Sequence, residues 1–463
     1  MAVKKHVKNV IFLLGLTVLI SFSFSCGHKK SKNVSQRSVA LNTNTALLTN
    51  NASSQGSTLL NKPLSIKSTK EKIVIFSSRG GAGHISTSKS ITAALSDKYD
   101  IKTVNTFTEV LHPMDPLYNV TGGKYYGENF YNYLVQGPVG LWTCKNLVVP
   151  IGNKMFLNSH KKAEKLFSNF LAKEKPSMII SVIPIINSSL LTVAKKMDVP
   201  FLVVTPDLDT TMFLNGLRAP DYNKFKYTLA YNDDLLFDKI AKAKFKKEQV
   251  EVVGFPVRKD FFEKKDLNKL RKEYNIPAGK KVIVLLMGGA GSKSTYTYTK
   301  KICKYKMPVH LLVCIGRNEA ARAKIDKINP KNGVSKTVIG FTDRMSDLMA
   351  MADLLITKAG PNSISEAIYL NLPVLVDGIS STLPWEKINI KFVEKHKLGL
   401  VARNDKEIKD GILKLAFDEK ENKKIRDRMH DFHKESFGTK IVGLVDRMVA
   451  DGKKKTYSVM MGH

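Results

Sequence analysis

Short apolar runs that end in glycine-rich loops recur along the chain and predict the strands of an α/β protein. Residues 72–76 form one such run, which continues into the loop 77–84 and then into a helical pattern over 86–95. The run 282–287 repeats this order with the loop 288–292. A strand, a glycine loop and a helix form the opening unit of a doubly wound domain. Two such units predict two facing Rossmann-like domains with an interdomain cleft that collects ligands.

Further apolar runs of strand length predict the rest of each sheet. In the first half they cover residues 178–182, 201–204, 228–231 and 250–253, and in the second half 309–315, 338–341, 352–357 and 373–376. The stretch from Gly254 to Arg258 then marks the crossover between the halves. We predict an N-terminal domain over residues 71–256 and a C-terminal domain over 257–463.

The first residues carry the pattern of an export or anchor segment. Lys4, Lys5 and Lys8 precede an apolar stretch over 10–24, which Cys26 closes. This stretch is shorter than the roughly 20 residues that span a bilayer. We therefore predict that residues 1–26 form either a signal peptide, with a lipoprotein signal at Cys26, or a short uncleaved membrane anchor. Residues 27–70 are rich in Ser, Asn and Thr without periodicity, which predicts a flexible linker.

Charge favours an anionic partner. The chain has 74 Lys and Arg against 41 Asp and Glu, a formal net charge of +33. It lacks zinc-finger spacing and an RNA-binding aromatic signature, so an anionic membrane surface is a better prediction than nucleic acid. The four cysteines form no C-x-x-C pair, which excludes a sequence-evident disulfide framework or cysteine metal site.

Aromatic residues crowd into the segment 112–150, which interrupts the α/β rhythm. They include Tyr118, Tyr125, Tyr126, Phe130, Tyr131 and Trp142, with Lys124 nearby. Aromatic rings beside cations suit a membrane interface or a lipid pocket. An ordinary aromatic core beneath a long insertion is an equal alternative from the sequence.

The loop 358–366 follows the predicted strand 352–357 and opens a helix that reaches Leu370. Its residues Gly360, Pro361, Asn362 and Ser363 predict a helix N-terminus whose N–H groups and positive dipole end favour a diphosphate. Glu366, about one turn into the helix, is placed to hold a ribose by its hydroxyls. The alternative is a plain strand–turn–helix junction with a solvated glutamate.

Two residues of the first half are candidates for acid–base chemistry. His84 stands where the first glycine loop meets its helix, and Asp207 follows the predicted strand 201–204. Carboxyl ends of parallel strands collect ligand-binding groups, and histidine titrates near neutral pH. We predict a catalytic role for both, with a structural role of His84 as the alternative.

Together these motifs resemble glycosyltransferase family twenty-eight, in particular monogalactosyldiacylglycerol synthases and processive diacylglycerol glucosyltransferases. The resemblance is carried by Gly80-Gly81-Ala82-Gly83-His84, the stretch 254–258, Met287-Gly288-Gly289, Ile339-Gly340-Phe341, Thr357-Lys358-Ala359-Gly360-Pro361, Glu366-Ala367 and Leu372-Pro373.

The resemblance implies a GT-B fold, with a UDP-sugar held by the C-terminal domain and a diacylglycerol-type lipid acceptor by the N-terminal domain. It implies diphosphate contacts for the residues 360–363, a ribose contact for Glu366, and donor contacts for Gly289, Phe341, Glu386 and Asn389. Trp385 stands where relatives have Gln. The implied reaction is a single inverting displacement with His84 or Asp207 as base, which requires neither a metal nor another cofactor.

Two other functions fit the same pattern. One is a lipid-linked N-acetylglucosaminyltransferase of peptidoglycan synthesis, which shares the fold and much of the donor motif. The other is a non-catalytic ligand-binding lipoprotein. Since sugar nucleotides are cytosolic, we expect an N-terminally anchored or lipid-modified protein with its catalytic domains on the cytosolic face of the membrane. Export of the whole protein is the competing expectation.

Overall fold

The computed structural model describes residues 70–134, 142–288, 292–331, 333–380, 382–432 and 434–460. Lys67–His463 form one compact unit. The predicted signal or anchor segment and residues 27–69 of the predicted linker lie outside the described residues. Within the described ranges, we find no helix with the length and apolar character needed to cross a bilayer.

The first half folds around a parallel six-stranded sheet with strand order β2-β1-β3-β4-β5-β6. Its apolar runs become strands because both faces of a parallel sheet are covered by helices. The strands are β1 (Lys72–Ser77), β2 (Asp100–Asn105), β3 (Met178–Ser181), β4 (Phe201–Val203), β5 (Phe225–Leu229) and β6 (Val250–Val252).

The α-helices described in this half include three in the aromatic insertion. In order, they are α1 (Ala82–Leu95), α2 (Pro116–Val120), α3 (Gly127–Leu134), α4 (Val149–Asn158), α5 (His160–Glu174), α6 (Asn187–Met197) and α7 (Asp234–Lys242). The insertion extends beyond the predicted 112–150 to the end of α4 at residue 158, and its residues 135–141 lie outside the described residues.

The second half repeats the architecture, with strand order β12-β11-β10-β7-β8-β9, again all parallel. The strands are β7 (Lys281–Leu286), β8 (Val309–Gly316), β9 (Ser335–Gly340), β10 (Leu354–Thr357), β11 (Val374–Asp377) and β12 (Gly399–Ala402). The helices are α8 (Leu267–Glu273), α9 (Lys293–Ile302), α10 (Glu319–Asp326), α11 (Met345–Ala350), α12 (Pro361–Tyr369), α13 (Lys387–Lys395), α14 (Asp405–Ile412), α15 (Glu419–Asp431) and α16 (Phe437–Met460).

Both strand orders reverse next to the strand that opens each half. In the first sheet β1 lies between β2 and β3, and in the second sheet β7 lies between β8 and β10. Ligands of open α/β sheets bind outside the carboxyl ends of the strands at this reversal. The fold therefore directs attention to the loops after β1 and β3, and to those after β7 and β10.

The predicted element boundaries need three corrections. Helix α1 begins at Ala82 and not at residue 86, because the turn into the helix is made at Gly81, whose φ is 103°. The strand predicted over 228–231 lies at Phe225–Leu229. The sequence prediction lacks β2 and β12. Strand β2 lies at a sheet edge, and its exposed positions Asp100 and Thr103 are polar, which interrupts an apolar run. Strand β12 is a short apolar run over 399–402 that the prediction did not include.

The last helix packs against the first half of the chain. Asp446 of α16 accepts a hydrogen bond from Tyr99 Oη at 2.7 Å and pairs with Lys98 at 2.7 Å. Arg447 pairs with Glu251 at 2.7 Å. The boundary at residue 256 stays a prediction, but α16 returns to the half in which the chain began.

Candidate active site

The donor loop between β10 and α12 presents an uncapped helix N-terminus. Gly360 is the N-cap of α12, and no side chain caps the helix. The Gly360 N–H donates to the Lys358 carbonyl oxygen at 2.7 Å, and Pro361 has no N–H. The first N–H groups of a helix have no intrahelical acceptor. Among residues 360–363, the free donors are therefore the N–H groups of Asn362 and Ser363.

Glu366 lies inside α12 with only 9% of its surface exposed. Burial raises the pKa of its carboxyl group to about 8, with Asp260 adding to the rise and the Arg258 guanidinium opposing it. Within the described residues, no group donates a hydrogen bond to this carboxylate. A buried acceptor without a partner is costly, so the geometry suits a ligand that brings its own hydroxyl donors.

A lysine that the sequence interpretation did not assign to the site lies at the centre of the donor loop. Lys358 Nζ lies 3.0 Å from Glu386 Oε1. A Cβ built on Gly288, which has a φ of 93°, would lie 3.1 Å from Lys358 Cε. The second glycine loop thus leaves room for the lysine stem, and a cation stands beside the free amides of α12. Its signal in the sequence is its position directly after β10.

Asn389 is buried and forms a hydrogen bond with the donor loop. Its Nδ2 donates to the Ala359 carbonyl oxygen at 2.7 Å, and the residue is 1% exposed. Its Oδ1 is buried without a hydrogen-bond partner. The observed contact of Asn389 is with the loop, and the expected contact with the donor stays a prediction.

Phe341 lies at the carboxyl end of β9, and 55% of its surface is exposed. The Arg317 guanidinium lies 4.4 Å from the centroid of its ring. Strand β9 is three strands away from β10 in the sheet, so Phe341 stands apart from the loop at Gly360. A flat aromatic and guanidinium surface there suits a planar base. Gly289, the remaining predicted donor residue, lies outside the described residues.

His84 occupies the strand-order reversal of the first sheet. Its Nδ1 lies 2.8 Å from the carbonyl oxygen of Val182, which directly follows β3. Because a carbonyl only accepts, Nδ1 carries the proton in the neutral ring and Nε2 keeps its lone pair. Burial lowers the pKa of His84, with the Val182 contact opposing the shift. The ring is thereby held as a neutral imidazole with a free basic nitrogen.

Asp207 is half-buried after β4. Burial raises the pKa of its carboxyl group to about 7, helped by the negative charges of Glu386 and Asp209 and opposed by Lys358. Glu386 and Lys358, which belong to the second half, thus lie near enough to Asp207 for their charges to act on its carboxyl group. A carboxyl group with this pKa exchanges protons near neutral pH.

The two halves meet where these loops face each other. A Cβ built on Gly83 would lie 3.3 Å from Asn362 Oδ1 and 3.8 Å from Pro206 Cβ. The structure therefore brings the turn that carries His84, the turn that carries Asp207 and the free end of α12 to one place. Such an arrangement can hold a diphosphate on one side and a reacting hydroxyl on the other.

The insertion exposes large apolar side chains next to this first half. Trp142 is 63%, Tyr125 52% and Ile151 48% exposed, and Met155 on α4 is 39% exposed. Elsewhere in the segment Tyr118 and Tyr126 pack together, with ring centroids 5.0 Å apart. The large side chains of the insertion thus divide between a pair of packed, half-buried rings and a set of exposed apolar residues.

A groove of about 420 Å³ lies beside α4 and is lined in part by three cations, Arg218, Lys239 and Lys242. A Cβ built on Gly216 of this groove would lie 3.6 Å from Leu157 Cδ2, which connects the groove to the insertion. No ion-pair partner of the three cations occurs among the described residues.

Comparison with known proteins gives a family match and several sequence relatives. Residues 283–435 match the glycosyltransferase family 28 C-terminal domain. Over 376 residues, 79% of this chain and 92% of the relative, the chain is 23% identical to the processive diacylglycerol beta-glucosyltransferase of Bacillus subtilis (strain 168). It is 28% identical to monogalactosyldiacylglycerol synthase 1, chloroplastic, of Arabidopsis thaliana, over 73% of this chain and 63% of the relative.

Solved structures share the fold at low sequence identity. Acinetobacter baumannii MurG superposes with a TM-score of 0.55 at 12% identity, over 81% of this chain and 99% of MurG. Arabidopsis thaliana UGT89C1, in a complex with UDP-L-rhamnose, gives 0.55 at 12% identity, over 82% of this chain and 99% of UGT89C1. The GT-B prediction is confirmed, and so is the resemblance: the chain is a glycosyltransferase that carries a family 28 C-terminal domain.

Proposed function

We propose that this glycosyltransferase moves a hexose from a UDP-sugar to a membrane lipid, a diacylglycerol-type acceptor, with inversion at the anomeric carbon. The observation that carries the proposal is the approach of Gly83 to Asn362, because it sets the half-buried His84 opposite an uncapped helix N-terminus. A base and an anion site on opposite walls of one cleft are what a single displacement needs.

The donor half of the site suits a nucleoside diphosphate. The Asn362 and Ser363 N–H groups and the positive end of α12 favour the diphosphate, and Lys358 adds a charge. The partnerless carboxylate of Glu366 accepts from the ribose hydroxyls. The exposed surface of Phe341 and Arg317 is the candidate support for the base.

The reaction in this proposal is an attack by the acceptor hydroxyl on the donor sugar. As the lipid hydroxyl oxygen forms its bond to the anomeric carbon, the bond from that carbon to the diphosphate oxygen breaks. The hydroxyl proton passes to Nε2 of His84, with the Asp207 carboxylate as the alternative acceptor. The charge that develops on the leaving diphosphate is stabilised by the α12 amides and Lys358. No metal or cofactor takes part in this scheme.

The choice of a lipid acceptor is supported by the exposed apolar face of the insertion and by the lipid-acting names of the curated relatives. An apolar patch rimmed by polar residues marks a contact surface. The neighbouring cationic groove and the net charge of +33 favour an anionic membrane. We therefore place the protein at a membrane, with its catalytic domains on the cytosolic face, where sugar nucleotides are found.

Radiolabelled UDP-glucose and UDP-galactose, each supplied with diacylglycerol in mixed micelles, test the proposal. We expect label in the extracted lipid with one of the two donors. Label only with a lipid-linked muramyl peptide acceptor would assign the protein to peptidoglycan synthesis. Tight UDP binding without transfer to either acceptor would leave a ligand-binding protein and refute the proposal.

A further inference from the structure

The backbone of the first glycine loop is held by the insertion helix α3. Glu128 Oε1 accepts hydrogen bonds from Ser78 Oγ at 2.5 Å and from the Arg79 N–H at 2.9 Å. Its other oxygen accepts from Asn105 Nδ2 at 3.1 Å, next to the end of β2. The residue is only 9% exposed, so its carboxylate is almost wholly surrounded by this network.

A second residue of α3, Asn132, forms hydrogen bonds with the same loop. Asn132 Oδ1 accepts from the Gly81 N–H at 3.2 Å, and its Nδ2 donates to the Arg79 carbonyl oxygen at 2.8 Å. Asn132 is four residues after Glu128, so both side chains lie on one face of the helix. The remaining Gly80 N–H donates to Ser78 Oγ at 2.9 Å.

The part of the loop that precedes α1 therefore has no free N–H donor at residues 79–81. The N–H groups of Arg79, Gly80 and Gly81 all have acceptors within the protein, unlike those of Asn362 and Ser363 at the donor loop. The first turn of α1, like that of α12, has no side-chain cap. The insertion thus fixes the first loop at residues 79–81, directly before the helix.

What this fixation positions is His84, the third residue of α1. Gly81 is the N-cap of α1 and its φ of 103° makes the turn, so any shift of the loop moves the first turn of the helix. His84 is held there by its contact with Val182 and by the Ser77 hydroxyl, which donates to the His84 carbonyl oxygen at 3.2 Å.

We propose that Glu128 and Asn132 are positioning residues for His84, by which the insertion that faces the lipid sets the alignment of the base. The inference rests on the proposed function, since it assigns these residues to the turnover of that site. A displacement of about 1 Å in a catalytic group can cost about 100-fold in rate. The rate effect should therefore exceed what the loss of hydrogen bonds outside the reacting groups would suggest.

The test compares Glu128→Ala, Glu128→Gln and Asn132→Ala in the full chain. A glutamine oxygen can still accept from Ser78 and Arg79, so Glu128→Gln should keep most of the turnover. Glu128→Ala should lower kcat by about 10- to 100-fold, with Asn132→Ala between the two. UDP affinity should stay unchanged in all three, because the donor loop lies in the other half.

Glu174→Ala is the matched control. This carboxylate pairs with Lys102 at 2.6 Å and with Lys72, which begins β1, so it supports the same sheet away from the glycine loop. We expect Glu174→Ala to lower the melting temperature and leave kcat unchanged. If Glu128→Ala changed only the melting temperature, as this control does, the positioning role would be refuted.

Two readouts are independent of transfer. In Glu128→Ala, hydrogen exchange of the peptide over residues 77–84 should accelerate, while exchange at 358–366 stays as in the wild type. The His84 ring, assigned in NMR by its loss in His84→Ala, should titrate at higher pH as the loosened loop admits water. Unchanged exchange and titration would overturn the inference even if the wild type transferred sugar. Changed values in a protein without transfer would refute only the proposed function.

Discussion

Gly83 and Asn362, from opposite halves of the chain, lie so close that a Cβ on Gly83 would stand 3.3 Å from Asn362 Oδ1. Gly83 is also the second residue of α1, where alanine is the better helix former. Its lack of a side chain therefore opposes helix stability and serves the approach of the two loops.

The first prediction follows from these opposite effects of the missing side chain on helix stability and on the approach of the two loops. Gly83→Ala should keep or raise the melting temperature and lower kcat/KM by about 10-fold, because a small misplacement of the reacting groups is expensive. Gly443→Ala in α16, where the nearest atom to the new Cβ is 3.7 Å away, is the control for helix propensity. Equal kcat/KM in the two variants would show that the approach of the loops is not needed for transfer.

The second prediction concerns Glu366. At a pH above 8, where its carboxyl group is ionised, Glu366→Ala should weaken UDP binding by roughly 1.5–3 kcal/mol, the usual range for hydrogen bonds to a charged group. Isothermal titration calorimetry with UDP measures the effect, and Glu419→Ala, at an exposed position of α15, is the control. Unchanged affinity in Glu366→Ala would place the ribose elsewhere.

The third prediction is a pH dependence of stability without ligand. The folded-state pKa of Glu366 is about 8 against an ordinary 4.5, so the folded protein binds the additional proton between these values. Stability is therefore highest below about pH 4.5 for this group and falls as pH rises towards 8. Glu366→Gln should remove this part of the slope and stabilise the ligand-free protein at pH 8 by roughly 1–3 kcal/mol. Urea unfolding of both proteins at pH 6 and pH 8 measures the free energy of unfolding. If Glu366→Gln kept the same pH dependence of this free energy as the wild type, the prediction would be contradicted.

The sequence predicted most of the sheet architecture because the central strands are continuous apolar runs covered on both faces. It failed at β2, an edge strand whose exposed positions are polar, at the short run of β12, and at the start of α1, which depends on the backbone of Gly81. Glu366 and His84 could be named as candidate site residues from the local order of strand, glycine loop and helix alone. The sequence could not identify Glu128, because its acceptor role depends on a loop 49 residues earlier in the chain.

The fourth prediction concerns the membrane. The joint replacement of Trp142 and Ile151 by serine should reduce sedimentation with vesicles that contain acidic lipid, since both side chains are exposed and apolar. Lys239→Glu with Lys242→Glu should reduce the same binding mainly at low salt, because screening removes the attraction at high salt. Leu413→Ser, an exposed apolar residue of the second half, is the control. Equal binding to neutral and acidic vesicles would refute the electrostatic part.

The last prediction decides between His84 and Asp207 as the base. Burial lowers the pKa of His84 below its ordinary 6.5, whereas it raises the pKa of Asp207 to about 7. A base works when deprotonated, so the acidic limb of kcat/KM should fall below pH 6.5 for His84 and near pH 7 for Asp207.

We expect the limb below pH 6.5, and a loss of about 10²- to 10⁴-fold in turnover for His84→Ala with UDP affinity nearly unchanged. Asp207→Asn should lower turnover less. Melting temperature, UDP affinity and the pH profile should be measured on the same preparation, so that an unfolded fraction is not mistaken for lost catalysis. A stable His84→Ala variant with wild-type turnover, together with a limb near pH 7 that Asp207→Asn abolishes, would transfer the role to Asp207. That result would also make the contact with Val182 the main purpose of the histidine, since its ring would then only tie α1 to the end of β3.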